Sequence, residues 1–164
     1  VTVSDMLDLT AIDNNILEAT VILGDQAGRT LDTVTREVIN AGTNDAAENT
    51  GPFDLDITFG NIASMAEIAK ANGIKVILTS VLPAAGFRWN KNVTDAPARI
   101  EALNAKIKEY AKENKIPYVD YYTPMVTGAE RALNPDYSKD GVHPTLEGYL
   151  VMEALIKPAI EKAL

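Results

Sequence analysis

Apolar residues recur along the chain with two different periods. Ile62, Met65, Ala66 and Ala69 keep helical spacing, and Gly73 stands where a glycine closes a helix. The run from Lys75 to Val81 is short, apolar and rich in β-branched residues, and Pro83 closes it. It predicts a buried parallel strand. A loop over residues 84–96 carries Gly86, Trp89 and Asn92, and a second helix follows with Ile100, Leu103, Ile107 and Tyr110 on one face. Pro117 introduces a strand over Tyr118–Tyr122. Leu146, Tyr149, Met152, Leu155 and Ile160 then mark a C-terminal helix. Strands separated by helices of this length predict an α/β fold with a parallel sheet and right-handed crossovers.

The first forty residues follow another rhythm. Ile12, Ile16, Ala19, Leu23, Ala27, Leu31, Val34 and Val38 form one stripe of a helix longer than seven turns, with Asp13 and Asn14 as candidate caps. Gly24 and Gly28 each weaken such a helix by roughly 1 kcal/mol relative to alanine. The competing reading makes residues 19–23 a strand ending at Gly24-Asp25. The change of pattern near Asn40 divides the chain into an N-terminal helical segment, 1–39, and an α/β domain, 40–164.

Composition narrows the function classes. Hydrophobic residues make up 46% and charged residues 23% of the 164, the balance of a globular domain long enough to bury a core. A net charge of -8 repels phosphate backbones and anionic membranes, which argues against nucleic acid as a partner. No cysteine is present, so disulfides, thiolate chemistry and cysteine-bound metals are excluded. No apolar run reaches the roughly 18 residues of a membrane span, and Val1–Asp5 lacks the features of a signal peptide. The compartment stays open.

Two short motifs carry candidate chemistry. The only histidine, His143, lies in Asp140-Gly-Val-His-Pro144, directly before the C-terminal helix. A carboxylate three residues before an imidazole can bond its ring N–H, fix the tautomer and leave the other nitrogen as a base. The second motif is Gly42-Thr-Asn-Asp45, where the Asn44 amide can donate to a developing oxyanion. Each motif in isolation is also an ordinary turn.

Taken in this order, about a hundred residues apart, the two blocks resemble the SGNH (GDSL-like) ester hydrolases. The resemblance continues through Thr50-Gly-Pro-Phe53, residues 61–66, 76–83 and 118–122, and covers about residues 38–164. It implies a three-layer α/β/α, flavodoxin-like fold, truncated at its first strands. It implies Asp140 and His143 as catalytic acid and base, and Gly42 and Asn44 in the oxyanion hole. Small esters or acetylated carbohydrates are the implied substrates, with no metal and no cofactor. Arg88 and Trp89, in the loop after a strand, are candidate substrate contacts.

The family's Gly-Asp-Ser block is missing. The nearest match is Gly24-Asp25-Gln26, with glutamine in place of the nucleophilic serine. Only 18 positions separate Gly24 from Gly42, little room for a parallel crossover of a dozen or more residues. Weak or absent ester hydrolysis is therefore expected. Ser4, Ser64, Ser80 and Ser138 are the remaining hydroxyl candidates, with Ser64 read as a packing residue within a helix. Residues 1–40 instead resemble the long helix of a tailed-phage major capsid protein, which would make the chain a fusion joined near Asn40–Asn44. Loss of the first strands would leave Val38–Ala41 as an exposed sheet edge. A homo-oligomer is expected, paired through that edge or by exchange of the N-terminal helix. The rival readings are a structural or assembly protein and a non-catalytic binding module.

Overall fold

The computed structural model describes residues 42–163. The N-terminal helix, the boundary near Asn40, the Val38–Ala41 strand, Gly24-Asp25-Gln26 and Ser4 lie outside them.

The described residues open with a helical turn over 42–46, followed by helix α1 (Leu55–Ala71), strand β1 (Leu78–Thr79) and helix α2 (Ala96–Glu113). Strand β2 (Tyr118–Val119), the short helix α3 (Tyr122–Met125), a hairpin of β3 (Val126–Thr127) and β4 (Ala132–Leu133), and helix α4 (Leu146–Ala163) complete the order. β1 and β2 pair in parallel, Leu78 with Tyr118 and Thr79 with Val119, so α2 is the crossover between them. The expected α/β class and parallel sheet are present.

Local signals set the helix ends. Asp54 caps α1 by accepting from the backbone N–H of Asp56 and Ile57, both at 2.9 Å. α1 closes with the predicted glycine. Gly73 adopts φ +74°, its N–H donates to the Lys70 carbonyl, and that of Ile74 donates to the Ala69 carbonyl. The same paired closure ends α2, although Lys115 takes the left-handed position there at φ +55°.

Side chains on the two strands alternate between two apolar layers. Val76, Leu78 and Tyr118 face α1 and α2, where Ala66, Leu103, Ile107 and Ala111 are buried. Ile77 and Val119 face the other way, toward Met125, Leu133 and Met152. This period-two pattern puts α1 and α2 on one face of the parallel pair and α4 on the opposite face. A third cluster, of Ala46, Ala47, Ala84, Phe87, Val93, Ile100 and Val142, lies under the loops that follow Gly42, Val81 and Asp140.

Several expectations change in detail. The strand read as Tyr118–Tyr122 ends at Val119, because the N–H groups of Tyr121 and Tyr122 both donate to Ser80 Oγ at 2.8 Å and the chain turns into α3. On α4 Gly148 and Met152 are buried, and Leu155, Ile156 and Ala159 are partly buried against the same core. Leu146, Tyr149 and Ile160, assigned to the packed face, are exposed. Ser64 lies on α1 as expected, but its side chain is exposed rather than packed.

Candidate active site

Asp140 and His143 form one local unit. Asp140 Oδ2 lies 2.6 Å from His143 Nδ1, while Oδ1 accepts from the backbone N–H of His143 at 2.8 Å and of Val142 at 2.9 Å. A turn with Gly141 at φ +83° makes this wrap possible. The backbone N–H of His143, then its ring, hold the Asp140 carboxyl well below the usual carboxylate range. Ser138 braces the same turn: its Oγ accepts from the Gly141 N–H at 3.0 Å and donates to the His143 carbonyl at 2.8 Å. The turn is seated on α4 through Gly148, where an added Cβ would lie 2.7 Å from the Tyr137 carbonyl oxygen. The imidazole stays exposed, with its Nε2 edge not engaged by Asp140.

The block containing Asn44 is a helical turn whose carbonyls are taken up locally, Thr43 by the Ala47 N–H and Asn44 by the Asn49 N–H, each at 3.0 Å. Asn44 Oδ1 accepts from Asn49 Nδ2 at 2.9 Å, and Asn49 Oδ1 accepts from Trp89 Nε1 at 2.8 Å. Arg99 holds the segment after it, donating to the Ala46 carbonyl and pairing with Glu48 at 2.7 Å, with its guanidinium 5.1 Å from the Phe53 ring centre.

Gly42 is buried beneath the end of β1. A Cβ there would lie 2.6 Å from Val81 Cγ2 and 3.1 Å from Leu103 Cδ2, so close packing alone requires glycine. Val81 is fixed in turn by Asn104, a buried amide on α2. Its Oδ1 accepts from the Val81 N–H at 2.7 Å and its Nδ2 donates to the Val81 carbonyl at 3.0 Å. This side chain stands in for a neighbouring strand at the mouth of the sheet.

The loop after β1 connects the two blocks. The Trp89 ring lies between Phe87, 5.4 Å away, and His143, 6.2 Å away. Arg88 Nη2 donates to the Lys139 carbonyl at 3.3 Å, tying the loop to the residue before Asp140. Asp140, His143, Asn44, Arg88 and Trp89 are thus linked through direct contacts or through two intervening residues, Asn49 and Lys139. Sequence reasoning missed Asn49, Arg99 and Asn104. An asparagine five positions beyond Asn44, and another inside the apolar face of a helix, were the available signals.

Two of the three serine hydroxyls in the described residues are engaged elsewhere. Ser80 Oγ is buried under two backbone donors, Ser138 Oγ is held within the histidine turn, and Ser64 is on the exposed face of α1. Among the described residues no hydrogen bond joins a serine to the imidazole ring.

The chain is similar to known proteins of one family. The model of the GDSL-like lipase/acylhydrolase family matches residues 14–151, a stretch that includes Gly24-Asp25-Gln26. A GDSL-like lipase from Bacteroides thetaiotaomicron is 71% identical, with a TM-score of 0.75 over 76% of this chain and 61% of its own. An acylhydrolase-type protein from Bacteroides fragilis is 65% identical, with a TM-score of 0.72 over 73% of this chain and 58% of its own. A lipolytic-type protein of the G-D-S-L family from Desulfitobacterium hafniense shares 25% identity, with a TM-score of 0.54 over 72% of this chain and 60% of its own. The chain therefore spans about three-fifths of the length of these relatives. A comparison with curated proteins gives no match. No helix among the described residues is long and apolar enough to cross a membrane. With the family model matched over most of its length, the chain belongs to the GDSL-like lipase/acylhydrolase family.

Proposed function

We propose that the chain carries the acid–base and oxyanion half of an ester hydrolase site, acting on small carboxylic or acetylated carbohydrate esters. The observation that carries this reading is the 2.6 Å bond between Asp140 Oδ2 and His143 Nδ1. It assigns the ring proton to Nδ1 and leaves Nε2 as a base for the hydroxyl or water that attacks the ester carbonyl. Asp140 orients the ring and stabilises the imidazolium formed in that step. Asn44 is the donor to the carbonyl oxygen as negative charge builds on it. Arg88 and Trp89 border the site and are the proposed contacts for the rest of the substrate.

The nucleophile is the weak part of the site. No Gly-Asp-Ser block stands in the sequence, and of the described serines Ser80 and Ser138 are bonded elsewhere while Ser64 lies exposed on α1. Water activated by His143 then attacks directly, and hydrolysis is slow. The relatives supply the family chemistry for chains longer than this one.

Hydrolysis of p-nitrophenyl acetate, run beside the His143→Ala variant, tests the proposal. Turnover that depends on His143 supports it; equal rates contradict it.

A further inference from the structure

Trp89 and the side-chain amides of Asn49 and Asn44 form a directional chain. An indole has one N–H and no acceptor. At 2.8 Å from Asn49 it therefore selects the oxygen end of that amide. The nitrogen end of Asn49 is then turned to Asn44 at 2.9 Å, and it selects the oxygen end in turn. Asn44 Nδ2 is left pointing away from Asn49. An asparagine side chain has no other built-in preference between its two amide orientations, and only its hydrogen-bond partners decide between them.

We infer that Trp89 and Asn49 are positioning residues which hold Asn44 with its N–H, rather than its oxygen, toward the reacting carbonyl; this rests on the oxyanion role of Asn44 proposed above. The wrong orientation would oppose the developing charge with a carbonyl dipole. The scaffold around the relay keeps it in register. Asn90 Nδ2 donates to the Ala47 carbonyl at 3.0 Å, and the Asn49 N–H donates to the Asn44 carbonyl at 3.0 Å, so the two loops stay at fixed distance. The Phe87 ring, itself buried, supports one side of Trp89, and the imidazole lies 6.2 Å from its ring centre. One side chain thus joins the base to the amide that donates to the oxyanion.

A double-mutant cycle separates this from a substrate-contact role for Trp89. Trp89→Phe removes the N–H and retains an aromatic ring, and Asn49→Ala breaks the relay. Each is expected to lower kcat for p-nitrophenyl acetate about tenfold with KM within roughly twofold, part of the ~10²-fold that loss of an oxyanion donor costs. With both changes kcat is no lower than with Asn49→Ala alone, because the indole N–H, the group that Trp89→Phe removes, reaches Asn44 only through Asn49. Independent, multiplicative losses, or a rise in KM with kcat unchanged, overturn the relay. A second readout needs no turnover. In 15N-labelled full chain, Trp89→Phe should move or double the Asn44 side-chain amide resonances, as both orientations become populated. Asn44 resonances at their wild-type positions overturn the inference even if the chain proves to have no esterase activity. Absence of His143-dependent turnover would defeat the functional reading alone, leaving the relay to be decided by these spectra.

Discussion

Asp140 engages His143 twice, through Oδ2 to the ring at 2.6 Å and through Oδ1 to the backbone N–H at 2.8 Å. The carboxylate therefore sets both the tautomer of the imidazole and the path of the chain that carries it. Because the partners are three residues apart, the unit is complete without help from the sheet, which places it against the Trp89 loop.

Such a carboxylate ties stability to pH with a definite sign. The folded state lowers the Asp140 pKa, so its contribution is present above the unfolded value of about 3.9. It is lost as pH falls from there through the folded value. Asp140→Asn should therefore unfold at a lower temperature than the wild type near pH 7, with the gap narrowing below about pH 4. Melting curves across pH 2.5–7 check this, and a gap that widens in acid would contradict it.

Gly42 is held by space. A methyl group 2.6 Å from Val81 Cγ2 must displace the end of β1 or the helical turn carrying Asn44. Gly42→Ala is expected to cost about 1–3 kcal/mol, the usual range for overpacking a core. Urea denaturation of the variant measures it.

Asn104 serves both backbone groups of Val81 from within an apolar helix face. Asn104→Ala would orphan the partly buried N–H and C=O of Val81 together, at up to about 1–3 kcal/mol for each group left unpaired. Asn104→Asp, which keeps an acceptor for the N–H but faces the carbonyl with an oxygen, should fare no better. Chemical denaturation of the two variants against wild type gives the comparison.

Among the described residues the parallel sheet has two strands, β1 and β2, and an uncovered sheet edge would be a template for pairing with a second copy. Light scattering at micromolar concentration should give the mass of a dimer or larger species, and a strict monomer would contradict this expectation.

What could be read from the sequence was mostly what is local. The Ile100, Leu103, Ile107 stripe and the closing Gly73 depend on neighbours three to five residues away, and they stand as expected. The Asp140–His143 pair was legible for the same reason. On α4 Met152 and Leu155 meet the core as expected while Leu146, Tyr149 and Ile160 do not, because two adjacent stripes of that helix are apolar and periodicity does not choose between them. Only packing against Val119 and Met125 selects Met152 over Tyr149. The early end of β2 depends on Ser80, some forty residues earlier, and the Trp89–Asn49 bond also spans forty positions. Pairings at that separation leave no mark in the spacing of either residue.

His143, poised by Asp140, is the proposed base of an ester-hydrolysing site. The most direct measurement of that role is the rate of p-nitrophenyl acetate hydrolysis by the wild-type chain and by His143→Ala under identical conditions. Loss of a positioned general base predicts a fall of about 10²-fold. Indistinguishable rates would remove His143 from the chemistry and contradict the account.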